Sequence, residues 1–85
     1  MMMSMEETID NTVLIDTSGL ICPLPILTVK KRLKSLADNV CFLHVITTDN
    51  SSAADFPAFF ERIKWQLLSS NQDKEVFMFK ITRTP

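Results

Sequence analysis

The sequence lacks several features that define other classes of protein. Two cysteines in 85 residues are too few for the disulfide framework of a small secreted domain. Residues 1–7 contain acids but no Lys or Arg, which is unlike a secretion or transit signal. No apolar run approaches the roughly 20 residues that cross a bilayer. We therefore expect a protein of the reducing cytoplasm with no membrane partner.

The chain is short, and it has neither an internal repeat nor a low-complexity linker. A length of 85 residues is typical of one domain, and 46% apolar residues are enough for a modest core. Residues 1–11 show no hydrophobic periodicity, so we expect a loose tail there. The rest, 12–85, is predicted to form a single domain.

Hydrophobic patterning predicts the element order β-α-β-α-β-β. The expected strands are 13–15, 40–47, 66–70 and 75–82, the helices are 23–36 and 52–64, and a polar hairpin turn is expected at 71–74. Two helices covering one face of a four-stranded mixed sheet form a two-layer α/β sandwich of the α+β class.

Both predicted helices carry an apolar stripe at helical spacing. The first stripe comprises Ile26, Val29, Leu33 and Leu36, widened by Leu27, and the second comprises Phe56, Phe59, Phe60 and Ile63. Such stripes attach small helices to a sheet, so we expect the phenylalanines to be core rather than a cofactor site. Ser52 and Asp55 resemble a capping box, whereas Pro57 implies either a distorted first turn or a regular helix starting near Asp55.

The only glycine, Gly19, lies between the first strand and the first helix, where it supplies a positive φ or lets another backbone come close. The run Cys22-Pro23-Leu24-Pro25 follows it. Proline is favoured at the first helical position, so Pro23 is expected there and Cys22 becomes the N-cap. Pro25 then falls within the first turn, where proline is also tolerated.

A helix N-terminus would activate the Cys22 thiol. The N–H groups of Leu24 and Ile26 and the positive end of the helix dipole favour thiolate over thiol, and the thiolate is the nucleophile. No Cys-x-x-Cys motif is present, so a lone activated thiol suits single-sulfur chemistry such as persulfide transfer. The alternative is a small buried hydrophobe, as free cysteines often are, although the flanking prolines favour an exposed junction.

The second cysteine, Cys41, lies among apolar residues in 40–46 and is interpreted as a buried structural thiol. A disulfide between Cys22 and Cys41 stays open, because it depends on distances that the sequence does not give. His44, the only histidine, is interpreted as a strand-face residue with no catalytic role. Two cysteines and one histidine at these spacings do not form a zinc site, so we predict no metal and no cofactor.

Four cations come almost together after 29 residues that contain no Lys or Arg: Lys30, Lys31, Arg32 and Lys34. One interpretation is a solvated helix face whose cations favour the helix C-terminus. The other is a docking patch for an acidic partner or RNA. Four cations without interleaved aromatic residues do not by themselves predict nucleic-acid binding.

Residues 15–25, with their Cys-Pro-x-Pro box preceded by Gly-Leu, resemble the TusA/SirA-like family of sulfur carriers. The resemblance continues through 47–49, which looks like the family's Asp loop and contains Asp49, then through 54–59 and the strand at 77–81. It covers about residues 12 to 82, which is nearly the whole chain.

The resemblance implies a β-α-β-α-β-β sandwich in which Cys22 accepts persulfide sulfur from a cysteine desulfurase or rhodanese-type donor. A downstream sulfur-relay protein would take the sulfur on, in tRNA 2-thiolation or related sulfur trafficking, with tRNA reached only indirectly. The family box transfers onto Gly19, Cys22, Pro23 and Pro25. Leu24 departs from it, because tRNA-thiolation members commonly have Glu there, beside the sulfur.

Two hypotheses for function follow. The first is a sulfurtransferase-type persulfide carrier rather than a free-standing enzyme. The alternative is a non-catalytic regulatory module of the same fold that docks a protein or RNA, with Cys22 incidental. A redox enzyme would need a resolving thiol near Cys22, and the sequence places none nearby.

Overall fold

Two helices lie against one face of a mixed sheet in the computed structural model, which describes residues 8–9, 12–36 and 39–83. The elements are β1 (Thr8–Ile9), β2 (Thr12–Asp16), α1 (Leu24–Leu33), β3 (Phe42–Thr47), α2 (Asn50–Arg62), β4 (Trp65–Asp73) and β5 (Val76–Arg83). The strands are ordered β1-β2-β3-β5-β4, with β2 parallel to β3 and the other neighbours antiparallel. The predicted sandwich of two helices on a four-stranded mixed sheet is confirmed.

A short fifth strand extends the sheet beyond the four that were expected. Thr8 and Ile9 pair with Val13 and Thr12 at the outer edge of β2. They fall within the segment 1–11 that was predicted to be a loose tail, and the rest of that segment lies outside the described residues.

The core lies between the sheet and α2, with α1 closing its other side. Alternate residues of β2, β3 and β5 face the helices and are buried, namely Val13, Ile15, Leu43, Val45, Phe79 and Ile81. The rings of Phe56 and Phe60 stack at 5.2 Å and each approaches the ring of Phe79 within 5.7 Å. The aromatic stripe of the second helix is therefore core, as predicted.

The first helix is shorter than its sequence pattern suggested. It ends at Leu33 rather than at residue 36, because the backbone tightens after it, with the N–H of Lys34 donating to the Lys31 carbonyl and that of Ser35 to the Arg32 carbonyl. Leu36 still packs against the core. Among the described residues, neither helix is long and apolar enough to cross a membrane.

The second helix begins two residues earlier than predicted and is continuous from Asn50 to Arg62. Its N-cap is Asp49, so the expected capping box of Ser52 and Asp55 is wrong. Pro57 lies inside the helix, which contradicts both the distorted first turn and the later start. Its missing N–H deprives the Ala53 carbonyl of its usual donor, and a solvent-open groove lined by Ala53 and Pro57 runs alongside.

β4 extends further than predicted in both directions, and β5 is shifted by one residue toward the C-terminus. The turn comprises Lys74 and Glu75 rather than 71–74, and Lys74 adopts a positive φ of 57°. Leu68 is an extra residue in β4, since the register steps from Leu67–Ile81 to Ser69–Lys80. The polar residues after this bulge looked like a turn in the sequence because β4 beyond Trp65 is exposed.

We expect Phe60→Ala to lower the free energy of unfolding by about 3–5 kcal/mol, because it empties the centre of the aromatic cluster. Met78→Ala is the control, since Met78 is exposed on the other face of the sheet and should cost less than about 0.5 kcal/mol. Urea unfolding of both variants measures the difference. Equal costs would contradict the assignment of Phe60 to the core.

Candidate functional site

The candidate site lies where the two parallel strands end. Because β2 and β3 are parallel, the segment 17–23 after β2 and residues 48–49 after β3 emerge at the same edge of the sheet. Thr17 anchors the first of these segments: its N–H (2.8 Å) and its hydroxyl (2.6 Å) both donate to the carbonyl of Ile46. The loop that carries Cys22 therefore starts from a buried, fixed residue.

Gly19 bends this loop toward the end of β3. It has a φ of 84°, which confirms the predicted need for a positive φ. A Cβ atom at this position would meet no heavy atom within 4 Å, so the requirement is for backbone conformation and not for a close approach. Its N–H donates to the Thr48 hydroxyl at 2.9 Å, and this bond joins the two loops.

Asp49 makes the second connection between the loops. Its Oδ2 atom accepts from the N–H of Cys22 at 3.2 Å and from the N–H of Ser52 at 2.8 Å. The bond to Ser52 caps α2, and the bond to Cys22 ties the loop that carries Cys22 to that cap. The N–H of Ser52 is the main cause that holds the pKa of Asp49 below its usual value of 3.8, and the N–H of Cys22 acts in the same direction.

Cys22 is exposed, with a free thiol, directly before α1. The prediction that Cys22 is the N-cap is wrong. The helix starts one residue later than expected, at Leu24, and Pro23 is the N-cap. The Leu24 N–H donates to the Ile21 carbonyl at 2.8 Å and is therefore not a donor for the sulfur. The N–H groups of Leu24 and Ile26 were both expected as donors near the sulfur. Only that of Ile26, in the first turn of the helix, is left for this role.

Pro23 and Pro25 both lie at the start of α1, as predicted, but they differ in exposure to solvent. Both lie at the start of α1, where a missing N–H costs no intrahelical bond. Pro25 is buried beneath the first turn, however, whereas Pro23 and Leu24 are exposed beside Cys22. The Cys22–Pro23 peptide bond is cis.

The other cysteine lies at the opposite end of the sheet. Cys41 is exposed, with its Sγ 3.7 Å from the Asn39 carbonyl, so the prediction of a buried thiol is wrong. Cys41 lies just before β3, which begins at Phe42, and its side chain is exposed although that of the preceding Val40 is buried in the core. A six-residue strand of about 20 Å separates the two ends, which excludes a Cys22–Cys41 disulfide.

His44 lies on the face of the sheet that is turned away from the helices. It is exposed and paired with Leu14 on one side and Lys80 on the other. This position agrees with a strand-face histidine. Within residues 8–9, 12–36 and 39–83, no three His, Cys, Asp or Glu side chains come together as a candidate metal site.

The predicted docking cations lie along the second half of α1 and just after it. Lys30, Lys31 and Lys34 are exposed, whereas Arg32 is half-buried and has an interaction partner. Lys30, Lys31 and Arg32 lie in the last turn, where positive charge suits the negative end of the helix dipole. Leu27, which was assigned to the core stripe, is 50% exposed on the same side as Leu24.

Comparison with known proteins shows which family and which relatives this chain is similar to. The profile of the family described as Sulfurtransferase TusA matches residues 13–83. The sulfur carrier protein TusA of Allochromatium vinosum is 41% identical over 70 residues, which cover 82% of this chain and 91% of that protein. A putative sulfur carrier protein of Neisseria meningitidis is 37% identical over 67 residues, covering 79% of this chain and 89% of that protein.

A solved structure supports the fold independently. The SirA-like protein from Desulfitobacterium hafniense superposes with a TM-score of 0.69, covering 85% of this chain and 97% of that protein. At 23% sequence identity the likeness concerns the fold alone.

We expect Asp49→Asn to be less stable than the wild type at pH 7 and the difference to shrink below about pH 4. A carboxylate whose folded-state pKa is lowered stabilises the fold above its unfolded value, and this contribution is lost as the pH falls through the folded value. Asn keeps an N-cap acceptor but does not ionise. Urea unfolding at pH 7 and pH 3 measures the difference.

Asp73→Asn, at the exposed end of β4, is the control for the loss of one surface carboxylate. A difference between wild type and Asp49→Asn that stays constant from pH 7 to pH 3 would show that the ionised Asp49 carboxylate does not support the site.

Proposed function

We propose that this chain, which belongs to the TusA sulfurtransferase family, carries sulfur as a persulfide on Cys22. Relatives that match four fifths of its length are named sulfur carrier proteins. The observation that carries the assignment to Cys22 is its geometry. It is an exposed free thiol in a loop that hydrogen bonds from Gly19 and Cys22 fix to the end of β3.

The chemistry is an exchange of one sulfur atom between thiolates. The Cys22 thiolate attacks the outer sulfur of a persulfide on the donor protein. A new S–S bond forms at Cys22 as the donor's S–S bond breaks, and the electron pair of that bond leaves with the donor's sulfur as a thiolate. The sulfur acceptor then attacks the persulfide on Cys22 in the same way, so the cycle needs no external oxidant or reductant.

The separation of the two cysteines protects the carried sulfur. A thiol within reach of a Cys22 persulfide would attack it and release sulfide, leaving a disulfide. Cys41 lies at the other end of β3, about 20 Å away, so it does not reach Cys22 within one chain. The persulfide is therefore available to thiols of other proteins, as a carrier requires.

The start of α1 suits the charge of the carried group. A terminal persulfide is an anion, and the positive end of a helix dipole favours an anion placed next to it. Cys22 directly precedes the N-cap of α1, and the first-turn N–H of Ile26 has no intrahelical acceptor.

A sulfur carrier relays between a donor and an acceptor. We assign the donor role to a cysteine desulfurase or rhodanese-type protein and the acceptor role to a downstream sulfur-relay protein, with tRNA reached only indirectly. Two exposed free thiols suit the reducing cytoplasm, where such thiols persist. The names of the relatives favour this carrier over a regulatory docking module in which Cys22 is incidental.

Incubation with a cysteine desulfurase and L-cysteine should add about 32 Da, one sulfur atom, to the intact mass of the protein. We expect Cys22→Ala to abolish the adduct and Cys41→Ala to retain it. The two variants form a matched pair, because both cysteines are exposed and free. An adduct that survives Cys22→Ala, or one that Cys41→Ala removes, would contradict the assignment.

A further inference from the structure

The strand β4 has an open outer edge. In the strand order β1-β2-β3-β5-β4 it pairs with β5 alone, and no described residue pairs with its other side. Its nine residues extend over about 30 Å, and every residue after Trp65 is exposed. The N–H and C=O groups that point outward along such an edge fit another extended strand.

The residues of this edge do little to prevent pairing with another strand. Edge strands of proteins that stay apart commonly carry charged residues or proline. Residues 65–72 contain neither, and Asp73 is the one charged residue in β4. Leu67 and Leu68 are 36% and 46% exposed, so the edge also has apolar surface whose burial is favourable.

The bulge at Leu68 restricts the register in which a strand can pair with β4. Leu67 lies opposite Ile81, and Ser70 lies opposite Phe79. Both partners on β5 are buried beneath the helices, so Leu67 and Ser70 share a face, whereas residues three apart in a regular strand face opposite sides. The outward backbone groups follow the same alternation, because both segments of β4 stay paired with β5.

A second copy of β4 meets this restriction. When two copies pair antiparallel about a two-fold axis with like faces together, residues 65–67 of one copy lie opposite residues 70–72 of the other. Gln66 then lies opposite the partner's Asn71. Leu67 lies opposite the partner's Ser70. The two bulges come next to the axis, where the exposed Leu68 of each copy can be buried.

The charges at the two ends of β4 fit the same register. Lys64 precedes the strand, and Asp73 ends it. The register that matches residues 65–67 with 70–72 also brings Lys64 of each copy level with the partner's Asp73. Opposite charges at both ends favour this register, and residues 65–72 contain no charge that would oppose it.

We propose that two copies of this chain form a dimer by antiparallel pairing of their β4 strands, which joins the two sheets into one. A second copy fits this edge better than an unrelated strand does, because the edge is complementary to itself in its backbone groups, its faces and its end charges. Two paired strands bury less area than a standard interface, so we expect a dissociation constant of about 10–100 µM.

The dimer leaves the site at Cys22 open. β2 is separated from β4 by β3 and β5, which places it about 14 Å away across the sheet. Cys22, beyond the end of β2, therefore stays exposed in each copy. Dimer formation is independent of the sulfur chemistry of Cys22 and goes beyond it.

Sedimentation equilibrium of the wild type from about 10 µM to about 1 mM should show monomer converting to dimer. A reducing agent in the buffer prevents disulfides between the exposed cysteines of two chains. Amide hydrogen exchange at residues 66–72 should slow as the protein concentration rises, because outward N–H groups gain acceptors. A chain that stays monomeric at about 1 mM, or a dimer that protects other segments instead of β4, would overturn the proposal.

Two variants at Gln66 and Asn71 test the register, since both residues are exposed and each lies opposite the other's copy in the partner. Gln66→Lys/Asn71→Lys sets lysine against lysine at two places, so its dissociation constant should rise at least about tenfold. Gln66→Glu/Asn71→Lys sets glutamate against lysine at the same places and should dimerise at least as tightly as the wild type. Both are measured by sedimentation equilibrium.

Ser35→Lys/Asn39→Lys is the control, because it adds the same charge at two exposed positions outside β4 and should dimerise like the wild type. Urea unfolding of each variant, at a protein concentration well below the dissociation constant, verifies that the single chain stays folded. Equal weakening in the two variants at Gln66 and Asn71, or equal weakening in the control, would overturn the pairing of β4 with β4.

Discussion

One carboxylate oxygen, Oδ2 of Asp49, accepts hydrogen bonds from the N–H of Ser52 and from the N–H of Cys22, which lies 27 residues earlier in the chain than Asp49. It caps α2 through Ser52, and α2 supplies the phenylalanines that fill the core. It also holds the N–H of Cys22, so the loop with the thiol is fixed to the same point as the core helix. The cap of one helix therefore sets the position of the thiol that precedes the other.

The two sides of α1 illustrate how a small domain divides its apolar residues. Val29 and Pro25 face the sheet and close the core, while Leu24 and Leu27 face solvent beside Cys22. Exposed leucines gain nothing for the stability of an isolated chain, because only burial of apolar surface is favourable.

The sheet separates the Cys22 thiol from Cys41 and His44. Cys41 lies at the far end of β3, and His44 lies on the face turned away from the helices. The separation follows from strand geometry, since six extended residues span about 20 Å and successive side chains point to opposite faces. Under the proposed function, this arrangement keeps sulfur carried on Cys22 out of reach of Cys41 in the same chain.

The sequence by itself determined the order of the two helices and the four longer strands, the aromatic core and the positive φ of Gly19, because hydrophobic periodicity and glycine act over a few neighbouring residues. It also singled out Cys22 through its flanking prolines. Only the tertiary structure decided that Asp49 holds the Cys22 loop, that Cys41 is exposed and that Leu27 faces solvent. Each depends on where a strand begins or on which face a neighbouring element covers. These contacts are between residues that are distant in the chain, so a pattern of neighbouring residues does not predict them.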